Sequence, residues 1–370
     1  MPREITIRHI RHLEEFEALH EAWEKLTNRR EVMTVFLTWE WLFVWWKTHH
    51  EGKDLWLITA WQEDELVGIA PLMLSKEKKY LFRFRLLQSL GAPNTDESDF
   101  LSVNDDQIVL SALLEYILQS KKQWDAVTLH ELRSSRVSTS TLRDAFSGVN
   151  LIIRIETNYH YYIPISEAWD VYFKSLSKNF RQNLERRLRR TKEANVLSFD
   201  HYKVQHINWD HFESMFKINK YGTFPEKYES ETERSFHREL FEIMRQKNWV
   251  EVAFVSLDGE PVAFEYGFNL NGRFEDWRTG YNKNFSKQAV GKLLLYLFLQ
   301  ELFKLGYSGF DFLRGEYEHK QDWQPLKNEF ITITTIRPTH LPSWLALSII
   351  PSLWRWTKKH LHIMDKNSLF

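Results

Sequence analysis

The sequence predicts an α/β protein, α+β in detail, built from two similar halves, each a mixed, mostly antiparallel sheet flanked by helices. Two pairs of strand-like runs carry the prediction, 54–61 with 66–74 and 250–257 with 262–270, each joined by a short polar turn. The second turn, Asp258-Gly259, and the next one, Asn271-Gly272, are dipeptides that tight β-hairpins favour because both tolerate positive φ. In both halves helical patterns precede the hairpin, and an apolar-striped helix leading to one more strand follows it. That repeated order permits a sheet with helices on its faces.

In the first half a short strand at 5–7 leads to apolar residues at helical spacing, Leu13, Phe16, Leu19, Trp23 and Leu26. An aromatic-rich helix follows at 36–46, then the first hairpin, strands at 84–90 and 98–102, a helix at 107–121 and a strand at 125–130. The stretch 133–141 is rich in Ser and Thr, poor in apolar residues, and reads as a connection. In the second half a long helix is expected at 167–194, further helical segments at 209–220 and 231–246, then the second hairpin, a strand at 274–281, a helix at 290–305 and a strand at 309–313. The expected divisions are 1–155, 156–340 and an amphipathic C-terminal segment, 341–370.

Composition narrows the chemistry. The 370 residues hold 16 Trp and 26 Phe, enough for a large core. Lys and Arg total 49 against 50 Asp and Glu, so no global field draws the chain to nucleic acid, and any basic surface must be local. With no Cys there is no disulfide, thiolate metal site or Cys nucleophile. The first residues, MPREITIRHIRHLEEF, are too charged for a signal peptide, and no window has the ~18 uninterrupted apolar residues of a membrane span. A cytoplasmic location is the expectation. The segment 341–362, with Trp344, Trp354, Trp356 and Lys358-Lys359, suits either peripheral contact with the inner membrane or packing on the protein itself.

Three stretches of the second half carry a resemblance: SLSKNFRQNLERRLRRTKE; EPVAFEYGF leading to GYNKNFSKQAVGKLLLYLFLQELFKLGY; and FDFLRGEYEHKQDW. With FLTWEWLFVWW, ELVGIAPLML and ESDFL of the first half, they span most of 30–325. In order and spacing they resemble acetyltransferases of the CelD-like branch of the GNAT superfamily, distantly related to the FemABX peptidyltransferases, which also pair two GNAT-like halves. The resemblance implies two GNAT-like halves here, the first degenerate and without a donor loop. It implies an N-acyltransferase that moves an acetyl or other acyl group from acyl-CoA, used as co-substrate without a metal, to an amine. The acceptors it suggests are small molecules or glycans, such as an amino sugar or a polysaccharide or cell-envelope precursor. DNA is not an expected partner. Two rival readings stand: FemABX-like transfer from aminoacyl-tRNA, and a non-catalytic, envelope-associated binding module.

Each candidate site residue follows from its chemistry or from this likeness. Gln288 and Gly291, with Lys292, match the GNAT loop that grips the pyrophosphate of CoA at a helix start, where free N–H groups and the helix dipole favour an anion. Leu293 and Val290 depart from that pattern. The helix from 170 to 193 has an apolar stripe and a concentrated basic face, including Lys178 and Arg181, suited to a phosphorylated acceptor, the 3′-phosphate of CoA, or a solvated surface. Near 309–323, Asp311 and Glu316 are candidate bases, with Glu318 beside them, while Arg314 and Lys320 can bind an anionic group. A network of ion pairs closing the sheet end is the competing account. Glu265, mid-strand and costly to bury unless paired, can point at the amine; Asp276 and Trp277 can line the same cavity. Tyr281 is a candidate acid for the departing thiolate, or a plain core Tyr. In the first half, Asp96, Glu97 and Asp99 mirror the later strand-end pattern. Trp39, Trp41, Trp45 and Trp46 read most simply as core. No Ser nucleophile elbow is present, so direct transfer is expected.

Overall fold

The computed structural model describes residues 4–30, 33–222 and 230–352. In chain order the elements are β1 (Ile5–Ile10), α1 (Leu13–Glu17), α2 (His20–Thr27), α3 (Trp39–His49), β2 (Lys53–Gln62), β3 (Glu65–Lys79), β4 (Phe82–Ser89), β5 (Leu101–Ser102), α4 (Gln107–Gln119), β6 (Ala126–Arg133), α5 (Val137–Ser147) and β7 (Ile152–Pro164). They continue with α6 (Trp169–Ser175), α7 (Lys178–Ala194), β8 (Leu197–Lys203), α8 (Trp209–Lys220), α9 (Glu231–Met244), β9 (Val250–Leu257), β10 (Glu260–Leu270), β11 (Arg273–Tyr281), α10 (Val290–Lys304), β12 (Gly309–Arg314), α11 (Glu318–Gln321), β13 (Leu326–Ile336) and α12 (Leu341–Trp344). The fold is mixed α/β, with sheets flanked by helices.

The chain forms two compact units that depart from a simple halving: 1–32, 50–157 and 330–370 make one, and 33–49 with 158–329 the other. Thus α3, early in the sequence, belongs to the second unit, and most of β13, late in it, to the first.

In the first unit the strand order is β1-β2-β3-β4-β6-β13, with β5 on β3. Strands β4 and β6 run parallel from Leu86↔Ala126 to Gln88↔Thr128. Beyond that, Ser98 bridges Leu132 in parallel register, and its N–H donates to the Glu131 carbonyl at 3.0 Å. The carboxylates expected to mirror the later strand end are taken up here. Glu97 accepts from Arg133 at 2.7 Å, and Asp99 pairs with Arg30 at 2.8 Å and accepts from the Ser138 hydroxyl. All three acidic residues of the stretch, Asp96 included, are buried, and burial raises the Asp99 carboxyl despite Arg30, Arg136 and Ser138. The stretch expected to be a connection forms α5, whose Leu142 and Phe146 reach the core.

The second unit has the order β7-β12-β11-β10-β9-β8. The long helix expected over 167–194 is two, because Ser177 breaks it and caps α7 by accepting from the Phe180 N–H at 3.3 Å. One face of the sheet packs on α6, α7 and α10 through Phe173, Leu184, Leu294, Phe298, Phe274 and Phe310. The other packs on α3, α8 and α9: Trp41 meets Phe236 and Trp277 at ring-centroid distances of 5.5 and 4.8 Å, and Phe212 meets Tyr266 at 5.3 Å. The Trp cluster is core, as its spacing suggested, but core of the second unit.

Glu275, on β11, is fully buried and accepts from the Val35 N–H at 2.9 Å and the Thr34 hydroxyl at 3.1 Å. Burial outweighs these donors and the nearby Arg273, and pushes its carboxyl up to about 7. Because this lies above the ordinary value, the stabilising contribution is complete at acidic pH below that ordinary value and is lost as pH rises through 7. The thermal midpoint is therefore expected to fall between pH 5 and 8, and Glu275→Gln to flatten that slope. A midpoint–pH curve unchanged by the substitution would contradict the assignment.

The described part of the C-terminal segment packs on the first unit, with Ala346 buried beside Phe84, Leu86 and Ile336. Trp354, Trp356 and Lys358-Lys359 lie outside the described residues. Among the described residues no helix is long and apolar enough to cross a membrane.

Candidate functional site

The site is organised by one irregularity in the second unit. Strands β11 and β12 pair in parallel only at Arg273↔Gly309, Phe274↔Phe310 and Glu275↔Asp311. Past that point β12 stays with β7, Arg314 opposite His160, while β11 stays with β10 as far as Tyr281↔Ala263. The two strands splay, so residues 276–281 of β11 have no ladder partner on the β12 side and offer their backbone groups to a ligand there.

The splay coincides with a bulge on β11. Phe268 faces Glu275 and Tyr266 faces Arg278, so one strand spends three steps where the other spends two. Gly267 makes this possible: a Cβ there would lie 2.1 Å from the Glu275 carbonyl oxygen. The bulge brings Asp276 to the same side as Glu265. Glu265 is buried, and burial together with the Asp276 carboxylate raises its carboxyl well above the ordinary range, against the weaker pull of Thr279 and Lys320. Two acid groups this close cannot both ionise. The pair therefore holds a proton between them, with Glu265 pushed toward its protonated form. One Glu265 oxygen, Oε2, has no hydrogen-bond partner.

At the far end of β11 the chain turns into α10. Ala289 sits in the left-handed region, φ 55°, at the helix N-cap, a conformation that costs a non-glycine residue about 1–2 kcal/mol. Strain of this kind persists where the surroundings impose it, and it gathers at ligand sites. The first intrahelical bond at this end is donated by Leu293 to the Ala289 carbonyl at 3.1 Å, so the amides of Val290, Gly291 and Lys292 have no acceptor within the helix. Gln288 Oε1 is buried without a partner. Helix α7 lies alongside: Arg187 donates to the Lys287 carbonyl at 3.3 Å, and Lys292 sits over the Phe180 ring at 5.6 Å. Free amides, a helix dipole and a cationic neighbour together make an anion site.

The sequence model of the acetyltransferase (GNAT) domain family matches residues 178–321, the stretch that holds α7, the bulged β11, the α10 loop and β12. The match to this family covers that stretch, less than half of the chain. No curated protein matches the chain by sequence. Among solved structures it is similar to FemX (11% identity, 88% of this chain and 96% of that chain, TM-score 0.56). It is also similar to the C-terminal domain of a putative lysylphosphatidylglycerol synthetase from Agrobacterium fabrum (9% identity, 92% and 96%, TM-score 0.55). A third is a tandem GNAT protein from the clavulanic acid biosynthesis pathway (10% identity, 90% and 99%, TM-score 0.51). At such identities the likeness is one of fold: a GNAT-type fold over most of the chain, related to that of FemX.

Within the matched stretch the residues singled out from sequence separate into groups. Gln288 and Gly291 stand together at the strained loop. Leu293 and Val290 are buried in the core, so the departures from the loop pattern point away from the amides instead of obstructing them. Lys292 is half-exposed and bonded to Asp322 at 2.8 Å. Lys178 is exposed at the start of α7, whereas Arg181 Nε donates to the Leu176 carbonyl at 3.1 Å. Glu265 and Asp276 form the acid pair. Trp277 is buried among aromatic rings.

Four expectations shift. Asp311 is paired with Arg273 and accepts from the Leu313 N–H at 2.8 Å, a buried carboxylate whose bonds secure the strand end. Glu316 is exposed; hydrogen bonds from Lys327 at 3.2 Å and Tyr161 at 3.1 Å hold its carboxyl low. Lys320 is buried, and its ammonium donates to the carbonyls of Phe312 and Arg314 at 3.0 and 2.9 Å, stitching the end of β12 with Arg314 itself at the exposed end. Tyr281 packs against Gly291, where an added Cβ would be 3.3 Å from its ring. It pairs with Ala263, two positions along β11 from the Thr279 that faces Glu265, so it lies beside the anion site and on the order of 7 Å along the strand from Glu265. The splay is between β11 and β12; the strand of Glu265 is paired on both sides. Thr279, which bonds Glu265 from the adjacent strand, escaped the sequence reading because an exposed-looking Thr in a strand carries no signal of its own.

Proposed function

We propose that the chain is an N-acyltransferase that takes an acetyl or other acyl group from acyl-CoA to an amine. The observation that carries this is the alignment of three features along one strand: the α10 anion site at one end, the unpaired 276–281 edge, and the Glu265–Asp276 pair at the bulge. The amides of Val290, Gly291 and Lys292 would hold the diphosphate, the β11 edge the amide-bearing arm, and the thioester would then lie by the bulge. Asp276 takes a proton from the incoming ammonium; the amine nitrogen attacks the thioester carbonyl to form the new C–N bond, the C–S bond breaks, and the thiolate leaves and takes up the proton that the nitrogen sheds as it becomes an amide. Glu265, keeping its own proton, holds Asp276 in place through their hydrogen bond.

An amino sugar or a cell-envelope precursor remains the acceptor class that fits the original resemblance, and transfer from aminoacyl-tRNA is the alternative that the FemX-like fold and the basic face of α7 favour. Both are separated by one assay. Since the protein has no Cys, a thiol reagent added to protein, acetyl-CoA and an amine panel reports only CoA release. Amine-dependent thiol release is expected. Its absence across the panel, with transfer from charged tRNA instead, would replace the donor.

A further inference from the structure

The face of β11 that looks onto α8 and α9 holds polar groups that the transfer chemistry leaves unused. Arg278 is half-buried, its guanidinium 3.9 Å from the centre of the Trp277 ring, with Nη1 donating to the Trp277 carbonyl at 3.2 Å and Nε without an acceptor. Trp277 is 4% exposed, and its Nε1–H is also without an acceptor. Asn219, on α8, is 7% exposed; its Oδ1 lies 2.6 Å from where a Cβ on Gly280 would sit, and its Nδ2 has no partner. Trp277 and Arg278 are neighbours on β11 and Asn219 packs against Gly280 two positions on, so three buried N–H donors without acceptors lie along one stretch of this strand, with one Glu233 oxygen, Oε2, also unpartnered; proteins rarely leave such groups unpaired unless a ligand completes them.

A guanidinium fork with two further donors matches an oxygen anion, and no neutral amine supplies the acceptors they lack. Glu233, on α9, is the nearby negative charge. Burial alone would raise it, yet the hydrogen bond from His49, at 3.4 Å, and the charges of His237, His49 and Arg278 hold it low. Beyond Glu275 the edge of β11 has no ladder partner on the β12 side, and a molecule bound along that edge with its amine at Asp276 passes Arg278 two positions along, on the order of 7 Å away.

Resting on the acyltransferase reading, we propose that the acceptor carries a carboxylate or phosphate group and that Arg278, with Asn219 and Trp277, binds it and selects for it. The test uses two matched pairs of probes, D-glucosamine with D-glucosamine 6-phosphate and β-alaninamide with β-alanine, titrated calorimetrically at fixed ionic strength. In at least one pair the anionic member binds about tenfold tighter than its neutral partner, as charge-assisted forked bonds imply, and Arg278→Gln brings that ratio near one. Which pair shows the preference tells phosphate from carboxylate. No preference in either pair, or a preference that survives Arg278→Gln, overturns the proposal. Should Arg278→Gln lower the thermal midpoint, Asn219→Ser serves as the second variant, with the ratio again expected to fall. Acetyl-CoA is titrated in parallel into the same proteins: failure to bind would sink the donor reading, while the anion ratio is judged separately.

Discussion

Asp276→Asn is expected to lower kcat for acetyl transfer by about 10²–10³-fold, the range in which a positioned base contributes to proton transfer, with the KM for acetyl-CoA nearly unchanged. Asparagine is the same size and keeps an oxygen to accept the Glu265 hydroxyl, so the bulge survives; what disappears is the negative charge that takes the proton. Glu265→Gln should cost less, about tenfold, because glutamine still donates to Asp276 but no longer shares a titrating proton with it. The pH–rate profile separates the two: Glu265→Gln should shift the acidic limb, Asp276→Asn should remove it. A kcat within a few-fold of wild type for Asp276→Asn would transfer the base role to another group.

The second large effect concerns the donor. Acetyl-CoA present at 100 times its dissociation constant should stabilise the wild type by about 2.7 kcal/mol, and Gly291→Glu should abolish the gain. The substitution places a carboxylate where the diphosphate charge would lie. It brings a Cβ 3.3 Å from the Tyr281 ring, which must give by a few tenths of an ångström. Without ligand the variant should stay close to wild type in thermal midpoint, since an acidic residue in the first turn of a helix is itself favourable. Loss of the ligand shift with an intact apo midpoint therefore places the site, and retention of the full shift would remove α10 from donor binding.

Much of the fold was legible because strong local signals agreed with it. Asp258-Gly259 and Asn271-Gly272 announced two turns that the structure places between β9, β10 and β11. The apolar stripe of α10 fixed its face. Strands β7, β8 and β13 were not legible: their residues alternate weakly, with partly exposed positions throughout β8, and their pairing is decided by distant strands. The exchange of α3 into the second unit has no local signature, since Trp41 would be apolar core wherever it packed.

The candidate site divides in the same way. Gln288 and Gly291 stand out in sequence because helix starts able to bind anions have a short, local pattern. The acid pair was half seen: Glu265 as a costly mid-strand charge and Asp276 as a cavity wall, while the bulge that puts them side by side depends on Gly267 and on register between strands. Asp311 and Glu316 drew attention because charge density at a strand end looks the same in sequence whether it faces a substrate or, as here, Arg273, Lys327 and Tyr161.

The central claim, that the α10 amides and the unpaired edge of β11 together hold the donor, is open to one direct measurement: backbone hydrogen exchange of the full chain with and without acetyl-CoA. Slowed exchange confined chiefly to 276–281 and 290–293 is the result the account predicts. Acetyl-CoA binding that leaves both segments unprotected, or protects a different part of the chain, would contradict it.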